Sequence, residues 1–65
     1  MAEIPTDRQI ERLLDRIATI DKEAANRYAA TFEIFYNDGA TRLDLVRDIR
    51  EHLADARRWG YVYRR

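Results

Sequence analysis

Apolar residues recur along this chain in three stretches, each at helical spacing. Ile10, Leu13, Leu14 and Ile17 follow one another at intervals of 3, 1 and 3, which gathers them on one helical face. Just ahead of them, Thr6 is placed to accept from an early backbone N–H while Gln9, three residues on, reaches back, the pattern of a capping box after Pro5. A first helix over about residues 7–19 is expected.

The last stretch, Val46, Ile49, Leu53 and Ala56, is spaced 3, 4 and 3 and predicts a helix over about 42–59. Asn37-Asp38-Gly39 precedes it and Gly60 follows it. Gly39 is expected to close the preceding helix in a left-handed conformation, and Thr41 to cap the next one.

Between them the segment from Lys22 to Asn37 forms a middle helix, and its junction with the first poses the main question of architecture. At about 100° per residue, Tyr28 returns to the angle of Ile10, so one apolar seam could run unbroken from Ile10 to Tyr36, interrupted only by Asp21. Either Asp21 or Thr19 caps a new helix over about 22–37, or one long helix carries a carboxylate in its seam. The break is favoured, because an unpaired carboxylate in a small core is costly and an N-cap is a natural place for aspartate. The fold class is therefore all-α, a single helical domain over 1–65. It is either a three-helix bundle or a long-helix hairpin that dimerises to cover its open face, with a short extended tail over 60–65.

In the middle helix Tyr28, Phe32, Phe35 and Tyr36 are expected on the core face with Ala24 and Ala25, whose small side chains let a neighbouring helix approach. Ile34 points away beside Ala30. A second apolar spot on so short a chain is expected to be covered by the chain's own tail or by another chain.

Sixty-five residues bury only about 60% of the surface the unfolded chain exposes, and no cysteine is present to add a disulfide. The start lacks a signal-peptide pattern and no apolar run approaches the roughly 20 residues of a membrane span, so a cytoplasmic protein with no membrane partner is expected. Net charge is zero, from 12 basic and 12 acidic side chains, but unevenly placed. Residues 56–65 carry Arg57, Arg58, Arg64 and Arg65 and no acid, +4, which leaves the first 55 residues, with 8 basic and 12 acidic, at −4. A neutral total argues against a general nucleic-acid coat, whose affinity rests on phosphate neutralisation.

Chemistry at a reactive centre has little support. The single histidine, His52, forms an i, i+4 pair with Asp48 and lies near Trp59, but the chain contains no serine or cysteine to be activated. Asp44, Asp48, Glu51 and Asp55 form an acidic ridge, with Asp44–Arg47 and Asp55–Arg58 as exposed pairs. Glu33 and Glu51 lack the histidine three residues on that a di-iron helix pair would need. Both glycines are assigned to helix ends, so no phosphate-cradling loop remains. No catalytic residue, metal, cofactor or small-molecule substrate is expected.

The stretch from Arg57 to Arg65, RRWGYVYRR, alternates guanidinium groups with aromatic rings. Over Ile49 to Tyr63 the apolar spacing and Gly60-Tyr61-Val62 resemble the end of a winged-helix recognition helix running into its wing. That resemblance implies nucleic-acid contact, but Asp44 and Asp48 would meet the phosphates at the start of the helix and no second wing strand follows. Stacking of bases on the rings gives the same alternative, a small DNA- or RNA-binding regulator. The favoured reading has the rings sealing the bundle end or engaging a protein, since Trp, Tyr and Arg are the residues enriched at interface hot spots. The expected function is a non-enzymatic interaction module, adaptor or inhibitor that binds another protein, a second copy of itself in a homodimer being one candidate partner. Its contacts are placed at Ile34, Phe35, Tyr36, Trp59, Tyr61 and Tyr63, with Arg57, Arg58, Arg64 and Arg65 as polar anchors.

Overall fold

The computed structural model describes residues 3–58. Trp59, Tyr61, Tyr63, Arg64, Arg65 and the expected tail over 60–65 lie outside the described residues. The chain forms three helices, α1 (Asp7–Ala18), α2 (Lys22–Phe35) and α3 (Gly39–Arg58), joined by two three-residue turns. It is an all-α three-helix bundle. No described helix is long and apolar enough to cross a membrane.

Helix α1 starts where its capping box says it should. The Gln9 N–H donates to Thr6 Oγ1 at 3.2 Å, and the Thr6 N–H donates to Gln9 Oε1 at 2.9 Å. Pro5 and Ile10, which flank this box, are both buried. The helix ends at Ala18, and the Ile20 and Asp21 N–H groups still reach back to the Ile17 carbonyl, at 3.0 and 2.7 Å. Asp21 then leaves helical geometry, with φ −146° and ψ 92°, and its Oδ1 accepts from the Ala24 N–H at 3.1 Å. Asp21 thus begins α2, and the long-helix hairpin is not formed.

The second turn differs from the expected one. Helix α3 begins at Gly39 rather than Arg42, so Gly39 has helical backbone and does not close α2. The cap is Asp38: its Oδ1 accepts from the Ala40 N–H at 3.1 Å, and its Oδ2 accepts from the Thr41 hydroxyl at 2.9 Å. Aspartate is at least as good an N-cap as threonine, and taking it three residues earlier gives α3 almost one more turn. Thr41, expected as the cap, serves the cap instead. Helix α2 correspondingly stops at Phe35.

Helices of 12, 14 and 20 residues are about 18, 21 and 30 Å long. Contacts between them fix an up-down-up arrangement, because Arg42 near the start of α3 meets both the start of α1 and the end of α2. At the other end His52 meets Asp21 at the start of α2. The core is aliphatic: Ile10, Ile17 and Ile49 are fully buried, as are Ala24 and Ala56, with Ala25, Leu45 and Val46 nearly so. Leu13, Leu14, Tyr28 and Leu53 pack around Ile17, Ala24, Ala25 and Ile49. Leu45 joins the core although it was not part of the expected stripe of α3.

Replacing Asp21 by alanine removes the α2 cap and the carboxylate facing His52. The expected loss is about 1–2 kcal/mol, read as a lower urea midpoint with an unchanged slope. A Thr19→Ala control, on an exposed hydroxyl whose bond goes back to the Arg16 carbonyl, should stay within about 0.5 kcal/mol of the parent.

Candidate functional site

Four large apolar side chains stand out from the surface: Ile34 is 71% exposed, Ile4 59%, Phe35 50% and Tyr36 49%. Three of them are consecutive residues at the α2–α3 corner. Phe35 and Tyr36 were expected on the core face with Phe32, but they fall in the last turn of α2 and just beyond it, where the described chain turns away and no neighbouring helix extends to cover them. Phe32 and Tyr28 are half-buried, and Ala24 and Ala25 are buried, as expected. Ile34 points outward beside exposed Ala30, also as expected.

Ile4 joins this corner through a contact that sequence reasoning missed. A Cβ built on Gly39 would lie 2.9 Å from Ile4 Cδ1, so the absent side chain at the first residue of α3 leaves the space in which the Ile4 methyl sits. Residues 3–5 are held there by Arg42. Its Nη1 donates to the Pro5 carbonyl at 2.8 Å, its Nε donates to the Tyr36 carbonyl, and its Nη2 pairs with Asp7 Oδ1. The guanidinium also lies over the Phe32 ring, 5.5 Å from its centroid. With its side chain only 13% exposed, one planar fork ties the N-terminal segment, the end of α2 and the start of α3 together. Pro5 and Tyr36 are thereby brought to one guanidinium, and the flanking Ile4, Phe35 and Ile34 share one end of the bundle.

Carboxylates surround this apolar end. Among the described residues, Glu3, Asp7, Glu33 and Asp38 are exposed near this end, as is Arg8. Arg57 and Arg58 are exposed at the far end of α3, about 28 Å away along its axis.

The comparisons with protein-family models, with curated proteins and with solved structures found no match.

Two further constellations bear on it. The first joins α2 to α3: His52 Nε2 lies 3.2 Å from Asp21 Oδ2, both side chains being mostly buried, and the His52 ring meets Tyr28 edge-on, with centroids 6.2 Å apart at 87°. His52 was expected to form an i, i+4 pair with Asp48 and to lie near Trp59, which is outside the described residues; the structure adds a carboxylate from outside α3, that of the α2 cap Asp21. Asp21 therefore caps α2 with one oxygen and faces His52 with the other. Burial raises the Tyr28 phenol above its ordinary value of 10.0, and the nearby carboxylates, Asp48 first, push it the same way against Arg27. Among the described residues no group of three His, Cys, Asp or Glu side chains could hold a metal ion. The acidic ridge is partly neutralised by Arg47, whose Nη2 lies 3.4 Å from Asp44 and whose Nε lies 3.7 Å from Asp48.

The second is an open groove of about 920 Å³ between α1 and α3. Leu13, Val46 and Ala54 line it together with Arg12, Arg16, Arg47 and Arg50, and Glu3, Asp44 and Glu51 share the lining. Of these four arginines only Arg47, as the partner of Asp44, was singled out from the sequence.

Arg42→Lys keeps the charge but not the fork, so it should cost about 2–3 kcal/mol and expose the amides of residues 3–7 to faster hydrogen exchange. Asp7→Asn should cost less than about 1 kcal/mol, because the Asp7 carboxylate is 62% exposed and its pair is weakened by solvent. For Tyr28, the folded state holds the phenol neutral to higher pH than the unfolded chain does. Its contribution is complete below pH 10 and is lost as pH rises through the raised folded value. Tyr28→Phe should therefore flatten the fall in stability between pH 9 and 11, measured by urea titration at each pH, and an unchanged slope would count against the shift.

Proposed function

We propose that this protein is a non-enzymatic docking module that binds another protein through the apolar corner formed by Ile4, Ile34, Phe35 and Tyr36. One observation carries the reading: four large apolar side chains, Ile4, Ile34, Phe35 and Tyr36, stand about half exposed or more at the same end of the bundle. The corner is also preorganised. Arg42 holds its backbone from three directions, so little ordering cost remains for a partner to meet.

The acidic rim of the corner selects a partner with apolar side chains and basic flanks, by the charge matching that governs encounter and register at interfaces. Arg57 and Arg58 are exposed and remain available as polar anchors at the opposite end. The absence of serine and cysteine from the chain, and the assignment of His52 to Asp21 and Tyr28, support a function without a reactive centre.

The alternative, a small nucleic-acid-binding regulator, draws support from the four arginines lining the α1–α3 groove. Glu3, Asp44 and Glu51 in the same lining oppose phosphate there, and protein docking at the corner is the stronger reading.

A photo-reactive residue placed at position 34 in the native host tests the docking role. Its crosslinks should converge on one protein, identified by mass spectrometry, which is lost when Phe35→Asp is added. Absence of any crosslinked product, self-crosslinks included, would contradict the docking role.

A further inference from the structure

The docking role just proposed leaves the partner open, and this inference rests on that reading. We infer that the corner receives the aromatic, arginine-flanked stretch Trp59 to Tyr63 of a second copy of this chain.

Charge and side-chain type match first. The stretch carries three large rings between Arg57-Arg58 and Arg64-Arg65, and the corner offers apolar side chains among the exposed carboxylates Glu3, Glu33 and Asp38, with Asp7 held by Arg42 and Arg8 the one exposed cation among the described residues there. An apolar centre with cations at its flanks is what an apolar surface with anions at its rim selects.

Length then decides which copy supplies it. Arg58 ends α3 nineteen residues after Gly39, which puts it about 28 Å along the helix axis from the corner. Trp59, Tyr61 and Tyr63 stand one, three and five residues beyond Arg58. Even fully extended, a chain spans at most about 3.6 Å per residue, so the Tyr63 Cα gets no farther back than about 18 Å and those of Tyr61 and Trp59 about 11 and 4 Å. A chain cannot lay its own three rings on its own corner, and a second chain can.

Two copies lying side by side and antiparallel place each corner next to the other's α3 terminus, and both contacts form at once. Such a reciprocal exchange is isologous and closes as a dimer. The area argues for the double contact. Three buried rings supply roughly 450–750 Å² from the donating side, so a single contact falls near the lower limit of a specific interface, about 1,200 Å², and two bring the pair comfortably inside the usual range.

Trp59 is the only tryptophan and reports directly on the contact. Full-length protein followed by sedimentation over a wide concentration range should pass from monomer to dimer, with Trp59 emission moving to shorter wavelength in step and the transition shifting to higher concentration in high salt. Ile34→Glu with Phe35→Glu, at exposed positions whose helical signal should be unchanged, and Tyr61→Ser with Tyr63→Ser should each weaken the dimer by at least about tenfold. Mixing the two variants, which leaves one intact tail-and-corner pair, should give a one-to-one heterodimer weaker than the parent dimer but tighter than either variant with itself. A strict monomer, a dimer indifferent to either variant, or a mixture that fails to pair would overturn the inference. If the monomer nevertheless crosslinks through position 34 to a different protein, only the self-docking inference falls and the docking role stands; if it crosslinks to nothing, both fall.

Discussion

One carboxylate decides the architecture. Asp21 stands in an apolar seam that would otherwise run along a single helix from Ile10 to Tyr36, and it turns that seam into two helices by accepting the Ala24 N–H as the cap of α2. An aspartate that accepts a backbone N–H as an N-cap and faces a histidine costs far less than one unpaired in a core, so the chain breaks there although no glycine or proline compels it. The second oxygen of the same group lies against His52 of α3, so the break and the docking of the third helix share one side chain. Everything else follows from that turn: α2 runs back along α1, and α3 packs into the pair through Ile49, Leu45 and Val46.

The reversal also creates the corner. Because α2 returns, its last residues arrive beside the start of α1, where Arg42 can hold the Pro5 and Tyr36 carbonyls and Asp7 together. In a continuous helix the residues around Ile4 and those around Phe35 would lie far apart, and no shared apolar surface would exist. The two polar knots thus divide the work: Asp21 with His52 secures one end of the bundle, and Arg42 secures the end that bears Ile4, Ile34, Phe35 and Tyr36.

What was legible in the sequence were features that depend on neighbours along the chain. The Thr6 and Gln9 box, the Ile10 to Ile17 stripe, the Asp21 cap and the Asp44–Arg47 pair all involve residues within a turn or two of each other. Outward-facing Ile34 could be read from helical angle alone. The illegible features join distant segments. Arg42 looks like any of eleven arginines until the fold brings Pro5 and Tyr36 to it, and the partner of His52 lies thirty-one residues away on another element. Asp38 and Thr41 were both credible caps, and the one allowing the longer helix prevailed; the same choice turned Gly39 from a helix stop into the first residue of α3. Phe35 and Tyr36 follow the core periodicity, but periodicity carries no information about where the neighbouring helices end.

A distance between spin labels at the exposed positions 8 and 33 tests this account most directly, with the labelled protein diluted in unlabelled protein so that only pairs within one chain are read. Reversal at Asp21 places the two labels at the same end of the bundle, less than about 20 Å apart, twice the usual 8–10 Å spacing of packed helix axes. A separation near 38 Å, the span of twenty-five residues of unbroken helix, would contradict it.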